Sequence, residues 1–107
     1  MNLESMHLKK ILTLAFAVLM SLSHTVCAKE IHAFIGTYTD TSSKGIYSIT
    51  LDLETGRLSP ATFAAEATNP SFLAYSPDLK SLFAINESGG SVRAFAVEKD
   101  HVLRALG

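Results

Sequence analysis

The chain has no tryptophan and a single cysteine, Cys27, among its 107 residues. One thiol excludes an internal disulfide and a multi-thiolate metal site. Charge is sparse at 18% of residues, with a net of −1, and from Lys29 to Arg104 the basic residues are scattered singly. Phosphate backbones are held by clustered cations, so nucleic acid is excluded as a partner. No glycine-rich loop follows a strand and opens a helix, which removes the usual nucleotide cradle. Ligand spacings for zinc or for an EF-hand calcium loop are absent, and no Ser-His-Asp set assembles. Neither metal nor cofactor is expected.

Long hydrophobic runs are also scarce. The one present, Ile11 to Leu22, is uncharged and follows Lys9 and Lys10. It is shorter than the roughly 20 residues that cross a bilayer. Val26-Cys27-Ala28 then offers small or modest residues to a signal peptidase. Residues 1–28 therefore read as a helical secretory signal peptide, cleaved after Ala28. A buried core helix and a lone membrane anchor are the competing readings. Cleavage removes Cys27, leaves no stable membrane insertion, and implies a periplasmic or secreted product. A lipid-modified Cys27 is the variant of this reading, although His24, Thr25 and Val26 fit a lipobox poorly.

What remains, residues 29–107, is strand-rich. At 48% hydrophobic overall, it suits one small unit at most. Asn69 to Glu87 organises it, as strand, tight turn, strand. Phe72 to Tyr75 is apolar but too short for a helix. Ser76-Pro77-Asp78 supplies turn chemistry, because proline presets φ and the Ser and Asp side chains bond nearby amides. Leu82 to Ile85 is apolar at every position, the pattern of a strand covered on both faces. Upstream, His32 to Tyr38 reads as a strand. Gly45 to Leu53 alternates with period two, placing Tyr47, Ile49, Leu51 and Leu53 on one face. Asp52 to Gly56 closes a hairpin. Leu58 to Glu66 is a weaker strand, put at an edge by Pro60. Ser91 to Glu98 is a strand, Lys99 to His101 a turn, and Val102 to Leu106 begins another strand.

These segments repeat. Phe34-Ile35-Gly36-Thr37 aligns with Phe83-Ala84-Ile85-Asn86 at an offset of 49, Ile46 with Val92 at 46, and Leu58 with Leu103 at 45. An all-strand repeat of roughly 40–50 residues is the signature of a β-propeller blade. A small meander of look-alike hairpins is the competing reading.

The ordered set Phe34-Ile35-Gly36-Thr37-Tyr38-Thr39, Lys44-Gly45-Ile46-Tyr47, Asp52 with Thr55-Gly56, Asn69-Pro70-Ser71-Phe72-Leu73, Ser76-Pro77-Asp78 and Asn86-Glu87 resembles the N-terminal part of the seven-bladed propeller lactonase family. That family includes propeller-type 6-phosphogluconolactonases and related cycloisomerases. The resemblance runs from about Ile31 to Gly107. It implies an all-β propeller and hydrolysis of a small-molecule sugar lactone. Seven blades need about 300 residues. The chain is accordingly expected to hold about two blades, to lack the C-terminal ones, and to be poorly stable and inactive by itself.

Lactone hydrolysis needs a base for water and donors for the developing oxyanion. Glu87, ending an apolar strand before Ser88-Gly89-Gly90, is the candidate catalytic base. Asn86 and Asn69 are the candidate substrate-binding residues. A solvated loop carboxylate and turn-bracing asparagines are the plainer readings of the same three positions. His32, His101 and Arg93 read as surface residues, and Tyr38 and Tyr47 as packing aromatics. The rival to an enzyme is an exported, non-catalytic propeller that binds a ligand or a protein.

Overall fold

A computed structural model describes residues 6–11 and 29–107. Residues 6–11 are helical and exposed. Most of the apolar run, Cys27 and the cleavage position after Ala28 lie outside the described residues. Among the described residues, no helix is long and apolar enough to cross a membrane.

Residues 29–107 form two antiparallel sheets. The first has the order β1-β2-β3, with β1 at Glu30–Gly36, β2 at Gly45–Asp52 and β3 at Thr62–Glu66. The second has the order β4-β5-β6-β7, with β4 at Leu73–Tyr75, β5 at Ser81–Asn86, β6 at Ser91–Val97 and β7 at Leu103–Leu106. β1 lies nearest β4, and β3 nearest β7. The sheets therefore stack with first strand near first strand and last near last, as successive propeller blades do. All-β propeller architecture is what the repeat led us to expect.

The turns form for the reasons their residues suggest. Leu79 N donates to Ser76 O at 2.9 Å, while the Asp78 carboxylate takes the Ser76 hydroxyl at 2.6 Å and the Lys80 amide at 3.0 Å. At the other hairpin, Gly56 N donates to Asp52 O at 2.8 Å, and Asp52 Oδ1 accepts the amides of Glu54 and Thr55. Gly56 sits at φ 71°, a region that costs side-chain-bearing residues energy. Lys99–His101 is one 3-10 turn, with Asp100 at φ 60°.

β3 starts later than its pattern suggested. Pro60 has no N–H for a ladder, so regular pairing begins at Thr62, and Leu58 contributes only an isolated bridge to Leu51. That bridge matches Val97 opposite Leu103, the corresponding residues one repeat later.

The core lies between the sheets. Ile46, Ala65 and Ala67 of the first meet Leu82, Ala84, Phe95 and Leu103 of the second, with Phe34, Leu73 and Val97 packed alongside. Ile46, Leu82 and Phe95 are at most 1% exposed. The alternating β2 thus seats Ile46 in the core rather than the Tyr47, Ile49, Leu51 row. β5 also departs from the expectation of two covered faces. Leu82 and Ala84 are buried, while Phe83 and Ile85 are exposed because nothing among the described residues packs on that side.

Candidate active site at one end of the sheets

Three connections meet at one end of the sheets: the β1–β2 loop, the β3–β4 link and the β5–β6 turn. Glycine is required where the first meets the second. A Cβ on Gly36 would lie 1.8 Å from the carbonyl oxygen of Pro70, so only glycine lets β1 end against that link.

Asn69 ties all three together. It is 6% exposed and adopts φ 41°, a left-handed conformation that asparagine tolerates better than most residues. Its Oδ1 accepts the Thr39 amide at 2.7 Å and the Thr39 hydroxyl at 3.1 Å. Its Nδ2 donates to the Ser88 hydroxyl and to Asp40 Oδ1. Its carbonyl accepts the amides of Ser71 at 2.8 Å and Glu87 at 3.3 Å. The side chain is thus committed to protein partners on both sides of the sheet interface.

Glu87 follows β5 directly and is exposed. Its Oε2 accepts the Tyr38 hydroxyl at 3.0 Å. A second hydroxyl, that of Ser71, bonds the same carboxylate; this bond foremost, and Tyr38 next, hold it below the ordinary carboxylate range. Reciprocally, the hydrogen bond to Glu87 raises Tyr38 above the ordinary phenol value, leaving a protonated donor beside a fixed acceptor. Asn86 turns inward on its own loop, since Oδ1 accepts the Gly89 amide at 3.0 Å and its carbonyl accepts Gly90 N at 2.9 Å.

Tyr38, which counted as a packing aromatic when the sequence was read, is instead exposed and bonded to Glu87. The signal was available. Extending the 49-residue offset from Phe34 and Phe83 pairs Tyr38 with Glu87, so the two are equivalent positions on neighbouring repeats. Thr39, Ser71 and Ser88 carried no such mark. Arg93 spans the sheets, with its guanidinium 3.4 Å from the Glu66 carbonyl and 5.7 Å above the Phe95 ring. His32 and His101 stack at 3.6 Å toward the opposite end, again joining the two sheets. A shallow hollow of about 240 Å³ lies beside the cluster, lined in part by Thr68, Asn86, Ser91 and Arg93. Among the described residues, no group of three or more His, Cys, Asp or Glu is placed to hold a metal.

The cluster presents a fixed carboxylate, a phenol and several hydroxyls to solvent, with hydrogen-bonding capacity toward a polyhydroxylated ligand. Two stacked sheets with polar groups gathered on one rim define a repeat protein of the β-propeller class. The chain belongs to the seven-bladed β-propeller lactonase family, whose model matches residues 32–107. It is 36% identical over 69 residues to the 6-phosphogluconolactonase of Bacillus subtilis, a match covering 63% of this chain and 20% of that protein. Among solved structures, a protein provisionally named 6-phosphogluconolactonase from Bacteroides fragilis superposes with a TM-score of 0.68 at 34% identity, covering 79% of this chain and 25% of that one. The periplasmic gluconolactonase of Pseudomonas aeruginosa superposes with a TM-score of 0.65 at 28% identity, over 72% of this chain and 24% of its own. The chain thus spans about a fifth to a quarter of the length of these relatives.

Proposed function

We propose that the protein serves the hydrolysis of a sugar lactone, in the manner of the 6-phosphogluconolactonases it resembles. Glu87 acts on the attacking water, with the Tyr38 and Ser71 hydroxyls holding its carboxylate in place. The observation that carries this reading is the Tyr38–Glu87–Ser71 cluster, which holds an ionised carboxylate next to a protonated donor on the rim where three loops converge. Asn86 and Asn69 belong to the same site. Asn69 shapes it by holding Thr39, Ser88 and Glu87 in place, and Asn86 faces the adjoining hollow. The Glu87 carboxylate is bonded by the neutral Tyr38 and Ser71 hydroxyls, and the cation Arg93 lines the adjoining hollow.

The hollow is smaller than the roughly 300–1,000 Å³ of small-molecule sites. We take residues 29–107 to be the opening blades of a longer propeller, inactive without the rest, with residues 1–28 a leader removed during export. The periplasmic gluconolactonase among the relatives supports export, and N-terminal sequencing of the purified product tests it. In a chain carrying all seven blades, Glu87→Gln should lower the turnover of glucono-δ-lactone at least 100-fold, in line with general-base catalysis. Unchanged turnover removes Glu87 from the chemistry.

A binding module without chemistry is the second reading. It is favoured by the commitment of both asparagine side chains to protein atoms. Such a module would hold the lactone, seen as ligand-induced NMR shifts at Tyr38, and release no acid in a pH-stat.

A further inference from the structure

The hollow beside the Glu87 cluster has walls from both sheets. In the second sheet Leu82 stands opposite Phe95, Ala84 opposite Arg93 and Asn86 opposite Ser91. Alternate strand residues share a face, so these side chains form the row that looks toward the first sheet. Leu82, Ala84 and Phe95 are buried against it. Asn86, Ser91 and Arg93 continue the row to the rim and line the hollow of about 240 Å³, together with Ala67 and Thr68 of the β3–β4 link. Ala67 and Ala84 are small, which leaves the space between the sheets unfilled here.

Arg93 brings a cation that no carboxylate neutralises. Its guanidinium touches the Glu66 carbonyl at 3.4 Å and lies 5.7 Å from the centroid of the Phe95 ring. These contacts hold the side chain across the sheet interface. Among the described residues no carboxylate lies within ion-pair distance of it, whereas Lys29 pairs with Glu54 and Arg104 with Glu98. The hydroxyls of Thr68 and Ser91 and the Nδ2 of Asn86 bond no protein atom among the described residues. No carboxylate lines the hollow. The lining therefore offers free donors around one positive charge. A guanidinium fork matches two oxygens of a carboxylate or of a phosphoryl group. We propose that this hollow binds a small oxyanion, a carboxylate or phosphoryl group, through Arg93 with Ser91, Thr68 and Asn86. The hollow is open to solvent, so the affinity is millimolar. The site adjoins Glu87 without including it, and it stands whether or not a lactone is hydrolysed nearby.

Residue-resolved NMR of the 107-residue chain tests it, by titration with sodium phosphate and separately with sodium acetate. Sodium chloride holds the ionic strength constant, which removes general screening from the comparison. The amides of Thr68 and Ser91 and the Arg93 Nε–H should shift saturably, and the Asp52 amide should not move. Arg93→Gln should weaken binding at least about tenfold, since the charge-assisted contact is lost. Ser91→Asp adds a carboxylate to the lining and should abolish binding with Arg93 still in place. Circular dichroism verifies that each variant keeps its strands; should Arg93→Gln lose them, Ser91→Asp decides the matter. Saturation by acetate alone assigns a carboxylate ligand, by phosphate alone a phosphoryl ligand, and by both the shared oxyanion chemistry. The proposal is overturned if neither anion gives saturable shifts, or if Lys29 and Arg104 shift as much as Arg93. It is also overturned if a folded Arg93→Gln or Ser91→Asp binds as the parent does. None of these readouts involves turnover, so a failure here leaves the lactone reading to its own test.

Discussion

Removing the Asn69 side chain should unfasten the rim locally before it unfolds the sheets. Asn69→Ala deletes the acceptor of the Thr39 amide at 2.7 Å and both donors to Ser88 and Asp40. Leaving a partly buried amide without a partner costs about 1–3 kcal/mol. Alanine at φ 41° adds roughly 1 kcal/mol of backbone strain. Taking about 2 kcal/mol for the opening that frees the Thr39 amide, its hydrogen exchange should accelerate roughly 30-fold, at a tenfold change per 1.4 kcal/mol. The Asp52 amide, bonded to the Arg57 carbonyl at the far end, should exchange at the parent rate. Asn69→Asp keeps Oδ1 and should keep Thr39 protected. Residue-resolved exchange by NMR reads all three. A Thr39 amide that exchanges at the parent rate in Asn69→Ala would refute the clamp, and with it the claim that Asn69 shapes the site.

Gly36→Ala forces a Cβ to within 1.8 Å of the Pro70 carbonyl and should destabilise by about 3 kcal/mol, read as a lowered urea midpoint. Gly56→Ala, with open space around it but φ 71°, should lose only about 1 kcal/mol, and equal losses would discredit the close approach. Glu87→Gln should bring the Tyr38 phenol back down toward its ordinary 10.0, followed by ultraviolet difference titration. The sign follows from the pair. Glu87, depressed in the fold, contributes above the ordinary 4.5 and loses that contribution as pH falls through its folded value. Tyr38, raised in the fold, contributes below 10.0 and loses that contribution as pH rises through its folded value. His101 is depressed by burial first and by His32 second, with Asp100 partly opposing. Packing between the sheets should therefore weaken as pH falls below about 6.5, and His101→Gln should flatten that part of the stability profile.

Much of the fold was legible because strands and turns are encoded locally. The alternation of Gly45 to Leu53, the Ser76-Pro77-Asp78 turn and the offset between Phe34 and Phe83 each follow from a few adjacent residues, and each has its counterpart in the fold. Glu87 was legible as a polar group ending an apolar strand. Tyr38 was not recognised as its partner, because the two lie 49 residues apart and meet only when the sheets stack. Asn69 illustrates the same limit. Its place before proline marks a turn, but its bonds to Thr39 and Ser88 depend on two loops arriving from different sheets.

The sequence by itself determined where the chain extends, where it turns and that it repeats, since backbone sterics, proline and side-chain alternation act over a few residues. Only the tertiary structure decided which face of each strand is covered. A period of two defines two faces without saying which one finds a neighbour, so Ile46 and Leu82 are enclosed while Phe83 and Val92 face solvent. Long-range packing also brought the Glu87 carboxylate to the Tyr38 phenol. That pairing depends on the stacking of two sheets, which no local run of residues specifies.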